Sequence, residues 1–181
     1  MKKTVLVFGL ISGAIITGMM LYMANLCYTN PEFESNDVVG YALMIAAFSF
    51  IFVGIKTYRD RHNGGYITFG KAFLSGLYIS LIAAGMYVVV WLFDYYLFMP
   101  DYIDKYSQHV MYMAKIEGAT EQELSAKAAE MASFADMYES PVAVVLITFS
   151  EVFPIALFIS LVSAAILRRK EVTEDNKKQK K

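Results

Sequence analysis

Four stretches of this chain stay apolar long enough to cross a bilayer. A transmembrane helix needs about 20 mostly apolar residues, and residues 5–27, 38–55, 72–99 and 142–167 fit that description. The first two carry no charge, the third carries only Asp94, and the fourth only Glu151. Between the third and fourth stretches the pattern changes. Ile103, Tyr106, Val110, Met113 and Ile116 recur at helical spacing, as do Leu124, Ala128, Met131, Ala135 and Tyr138. Gly118 separates the two runs, and Thr120 followed by Glu123 fits a capping box that starts the second. The expected fold is all-α: an integral membrane four-helix bundle with an extracytoplasmic helical hairpin, residues 100–140, between spans three and four. Residues 1–170 make the membrane domain and residues 171–181 a charged cytoplasmic tail.

Composition agrees with this division. Hydrophobic residues make up 57% and the mean hydropathy is +0.44, against about 45–50% apolar residues in soluble domains. The charged 18% falls in blocks between the spans, so the net charge of −1 says little about partners. Met1-Lys2-Lys3 before an apolar run resembles a secretory signal, but the run is too long for a signal core and no small-x-small site follows. Leu26 also spoils a lipoprotein reading of Ala24-Asn25-Leu26-Cys27, and an uncleaved first helix is expected.

Charge sets the expected orientation. Lys2 and Lys3, the second loop with Lys56, Arg59, Arg61 and Lys71, and the tail from Arg168, Arg169 and Lys170 onwards hold thirteen of the 16 basic residues. The third loop holds only Lys105, Lys115 and Lys127. Basic loops stay in the cytoplasm, so both termini are expected inside. The opposite segments are acidic, with Glu32, Glu34 and Asp37 in the first loop and eight Asp or Glu between residues 101 and 139. The seven basic residues from Lys56 to Lys71 and from Arg168 to Lys170 are the expected contact with anionic headgroups, each worth about 1 kcal/mol near the surface. The tail has no aromatic residue among its charges, so the lipid bilayer is the expected partner and nucleic acid is not.

Little in the sequence points to catalysis. Cys27 is the single cysteine, which excludes a disulfide framework within the chain. No phosphate loop, nucleophile elbow or metal-ligand spacing occurs. His109, Met111 and Met113 come nearest to a soft-metal pattern, but on a helix Met111 points away from the other two. No metal, cofactor or catalytic residue is expected.

Asp94 and Glu151 are different. A carboxyl group inside a span costs a few kcal/mol and is by default a functional hypothesis. Asp94 shares a helix face with Gly76, Ser80, Ala83 and Tyr87 and sits beside Trp91, Tyr95 and Tyr96, an aromatic belt near the outer end. It reads either as facing the bundle or as a wet interfacial group. Glu151 lies deeper, and Pro154 three residues on cannot donate to the Ser150 carbonyl. A carboxyl group next to a freed carbonyl is a pattern that ion and proton pathways use, so Glu151, Asp94, Ser150 and Pro154 form the candidate ion or proton site. Gly9 and Gly13, then Gly76, Ser80 and Ala84, then Ala156, Ser160 and Ala164 place small residues every four positions, seams that let helices approach closely.

The second loop carries a resemblance. Phe52-Val53-Gly54-Ile55-Lys56-Thr57-Tyr58-Arg59-Asp60, followed by Gly64-Gly65-Tyr66-Ile67-Thr68-Phe69-Gly70-Lys71-Ala72-Phe73, resembles a family of four-span bacterial proteins catalogued as domain of unknown function 4199. The likeness extends over nearly the whole chain. It implies a fold and an inner-membrane setting, and it brings no activity or ligand residue. The expected role is therefore that of a non-enzymatic multi-pass protein acting by association, as a subunit or envelope-assembly factor, with a homo-oligomer or another membrane protein as partner. The alternative is a small oligomeric transporter or proton- or cation-conducting protein that uses Glu151.

Overall fold

The computed structural model describes residues 1–30 and 37–170. The acidic first-loop residues Glu32 and Glu34, and the tail from 171 to 181, lie outside the described residues. Six helices follow one another: α1 (Lys2–Thr29), α2 (Asp37–His62), α3 (Phe69–Leu97), α4 (Tyr102–Ile116), α5 (Glu121–Tyr138) and α6 (Pro141–Leu167). Among the described residues there is no strand, only an isolated bridge between Ile67 and Arg169. The stretches Lys2–Thr29, Val38–His62, Phe69–Leu97 and Pro141–Leu167 are long and apolar enough to cross a membrane.

The second of these runs past the expected boundary at residue 55. The helix continues to His62, so Lys56, Arg59 and Arg61 stand on its last turns and not in a loop. Basic side chains near a helix C-terminus complement its dipole, and the turn waits for Asn63, where Gly64 and Gly65 supply φ of 66° and 83°. The third helix likewise begins earlier, at Phe69, with Thr68 accepting from the Lys71 amide. The α6 helix is continuous through Pro154.

The long helices alternate in direction and form a ring in which α1 packs on α3, α3 on α6, α6 on α2 and α2 on α1. The small-residue seams sit at these contacts. Gly9 and Gly13 of α1 lie against Ile82, Ala83 and Met86 of α3. Gly76 lies so close to α6 that a Cβ there would come within 3.0 Å of the Ser160 Cβ. Beside it, the Ser80 and Ser160 hydroxyls are 2.9 Å apart and bond back to the Gly76 and Ala156 carbonyls. The Ser80 and Ser160 hydroxyls are thus paired across the α3–α6 seam, which avoids the penalty of an unmet polar group.

Helices α4 and α5 pack on each other and close one end of the ring. Gly118 turns the chain with φ of 82°. The capping box at Thr120 is complete: its hydroxyl accepts from the Glu123 amide while Glu123 accepts from the Thr120 amide at 2.8 Å. That end also carries a latch. The Tyr28 hydroxyl donates to Asp101 at 2.6 Å, and Lys105 lies 3.5 Å over the Tyr28 ring while bonding Asp101. The hydrogen bond from Tyr28, with Lys105 beside it, holds the Asp101 carboxyl below the usual carboxylate range.

The opposite end is basic. Lys2 and Lys3, the end of α2, the start of α3 and Arg168 to Lys170 gather there. Lys56, Arg61, Lys71, Arg168, Arg169 and Lys170 are exposed, as expected of surface cations. Arg59 is not: its side chain is 16% exposed, paired with Asp60 at 2.6 Å, and donates to the Leu167 carbonyl at 3.3 Å. It closes the end of α6, a structural task that the headgroup reading of Arg59 did not include.

A roofed cavity with Glu151 in its wall

Toward the α4–α5 end the four long helices draw apart around a cavity of about 620 Å³. Its α1 wall is Met19, Met20, Met23 and Ala24; its roof is Tyr102, Tyr106, Phe134 and Tyr138 from the hairpin. The first turns of α2, with Tyr41 and Leu43 exposed, stand at its edge. Glu151 enters from α6, its side chain exposed and lining the cavity. The Tyr87 hydroxyl of α3 donates to its Oε1 at 3.3 Å.

The roof is a chain of ring contacts. Trp91 meets Tyr102 edge-on at 4.9 Å, Tyr102 stacks on Tyr106, Tyr106 meets Phe134, and Phe134 meets Tyr138 at 4.7 Å. Each such pair adds about 0.5–1.5 kcal/mol beyond its buried area. Burial pushes the Tyr102 and Tyr138 hydroxyls above the usual phenol range, so both stay neutral. Trp91 and Thr148 belong to the same cavity wall, with the indole nitrogen and the hydroxyl themselves buried beside the Tyr138 side chain, short of hydrogen-bond geometry. Below Glu151 the bundle shuts: Phe48, Ile51, Ile55, Ile79 and Val152 are fully buried.

The family described as protein of unknown function (DUF4199) matches residues 5–169. The chain belongs to it. No curated protein and no solved structure matches. The DUF4199 match spans the hairpin, both cavity walls and the Ile67–Arg169 bridge, so the cavity is built wholly from family sequence.

Within this DUF4199 chain the four residues of the expected ion site divide. Glu151 and Ser150 line the cavity; Asp94 and Pro154 do not. Asp94 is half-buried one turn beyond Trp91, its Oδ2 is out of solvent contact with no hydrogen-bond partner, and its carbonyl takes the Phe98 and Met99 amides. The Ser150 hydroxyl bonds back to the Ile147 carbonyl at 2.8 Å. Tyr87, Thr148 and the aromatic roof escaped the sequence reading. Thr148 was within reach, since it lies one turn from Glu151 on the same helix. Tyr87 was placed on the Asp94 face of α3, but nothing in the sequence says that this face meets α6 at Glu151. His109, expected to be at most a weak metal candidate, is buried and lines the cavity.

Proposed function

We propose that this protein is a four-span integral membrane protein of the bacterial inner membrane that works by association, without catalysis, as a subunit or envelope-assembly factor. Both termini face the cytoplasm in this reading and the α4–α5 hairpin faces outward. The orientation is supported by the segregation of exposed Lys and Arg to one end of the bundle. The function is supported above all by the shape of the cavity. It is roofed by aromatic side chains, and beyond its inner side Phe48, Ile51 and Val152 are fully buried. A pathway has to continue; a docking pocket does not.

Conduction in an oligomer is the second reading, favoured by one observation, that Glu151 faces a cavity whose described lining holds no Lys or Arg. Gentle extraction followed by sizing and mass spectrometry separates the two. A partner at fixed stoichiometry is the expected result. Cation or proton flux in liposomes that Glu151→Gln abolishes would replace association with conduction. For orientation, a Cys27→Ser background with single cysteines at Ser125 and Arg61 is to be labelled by an impermeant reagent, and labelling at Arg61 alone from outside would invert the proposal.

A further inference from the structure

The occupant of the cavity is constrained by its chemistry. Its volume, about 620 Å³, lies within the range of pockets for drug-sized molecules, roughly 300–1,000 Å³. No Lys or Arg lines it; His109 is the basic side chain among its described lining residues, so Glu151 faces no permanently charged cation of the protein there. The carboxyl group's one hydrogen bond among the described residues, from Tyr87, is long at 3.3 Å and engages one oxygen. A carboxyl group within an apolar span costs a few kcal/mol, a cost that a cation placed beside it offsets.

The walls suit such a cation. Trp91, Tyr102 and Tyr106 offer aromatic surfaces that attract positive charge, and the attraction grows when water is excluded. Met19, Met20 and Met23 form a polarisable, adaptable wall that accepts apolar bodies of varied outline. A metal ion is a poor fit: no group of three or more His, Cys, Asp or Glu gathers among the described residues, and hard cations want about six oxygen ligands. A fatty acid would set a second carboxylate against the first.

We infer that the cavity is a binding site for a monovalent organic cation with an apolar body, its ammonium or phosphonium centre held between Glu151 and the aromatic roof. This rests on the reading of the cavity as a place of association, and names the class of molecule that would occupy it.

Trp91 is the chain's single tryptophan and stands in the cavity wall, so its emission reports occupancy directly. The full chain in detergent or lipid nanodiscs is titrated with tetraphenylphosphonium, and in parallel with triphenylphosphine oxide, a neutral molecule with the same kind of rings. The expected result is a saturable change with the cation, at least about tenfold weaker for the neutral compound, a difference of roughly 1.4 kcal/mol. Glu151→Gln is expected to erase that preference, and Glu151→Asp to restore part of it. The comparison of the two probes on the unaltered chain decides the matter even where Glu151→Gln does not fold. Equal binding of both probes, or a Glu151→Gln chain that still prefers the cation, overturns the cation inference and leaves association with a neutral occupant standing. Absence of saturable binding by either probe overturns the inference and removes the cavity as the support for association.

Discussion

Around Ile51, Gly76 and Ser160 the long helices meet on glycine, serine and alanine, and their backbones come close. Around Trp91, Tyr102 and Tyr138 the same helices are held apart by rings, and polar atoms such as Thr148 Oγ1 go unmet. The first region pairs the Ser80 and Ser160 hydroxyls across its seam; the second leaves Thr148 Oγ1 buried beside the cavity with no such partner. Close packing on small residues and an open site among large rings are thus built into one set of four helices. Small residues near the basic end hold the bundle in register, which lets the other end tolerate a void and a lone carboxyl group.

That contrast breaks most sharply at the glycines. Gly76→Leu drives a side chain into Ser160 and Ile55, and is expected to cost about 3 kcal/mol or to prevent folding. Gly40→Leu, at a cavity-lining position where an added Cβ meets nothing within 4 Å, is expected to leave thermal unfolding in detergent nearly unchanged. Similar losses at both sites would mean that the open end is as tightly specified as the closed one.

The hydroxyls give the next largest effect, with opposite signs. Ser160→Val removes one side of the Ser80–Ser160 pair and is expected to destabilise by about 1–2 kcal/mol. Thr148→Val removes an unmet hydroxyl of similar burial and is expected to be neutral or to stabilise by about 1 kcal/mol. Equilibrium unfolding of both variants checks the pair, and destabilisation by Thr148→Val would show that its hydroxyl has a partner, Tyr138 being the nearest candidate.

A smaller effect confines itself to the roof. Thr120→Ala breaks the capping box of α5 at a cost of about 1 kcal/mol. Hydrogen exchange should rise in Glu121–Tyr138 and stay level in α3 and α6, because the bundle does not depend on that cap.

The smallest expected effect is one of pH. Asp101 has a folded-state pKa below its unfolded value, about 3.9. Its contribution to the Tyr28 latch is therefore complete above about pH 3.9 and is lost as the pH falls through the folded value. Amide exchange at the start of α4 should increase on the acid side of this range. Asp101→Asn should remove the dependence.

The contrast between the two ends was only partly visible in the sequence. The four spans stand out because their apolar runs have no competing explanation, and the capping box because its two residues are local. Glu151 stood out because a carboxyl group is rare in such a run. The α2 boundary was misplaced for a physical reason: Lys56, Arg59 and Arg61 end the apolar run, but charge does not end a helix, and only Asn63-Gly64-Gly65 does. The cavity was invisible because it is made by distant segments. Tyr87 and Glu151 are 64 positions apart, and the roof depends on how α4 and α5 fold back over α1, which hydrophobic spacing does not encode. Asp94 was grouped with Glu151 as a candidate because both are acids within apolar runs, and whether the two meet was not legible; Asp94 is not among the cavity-lining residues.

In the proposed orientation Arg59 would serve two tasks. Its charge first counts toward keeping the second loop in the cytoplasm, while the helices are still being threaded into the bilayer. In the folded chain the same guanidinium donates to the Leu167 carbonyl. A topology signal consumed in this way would act as a lock: the charge that helped set the direction of insertion becomes hard to expose again without fraying the last helix.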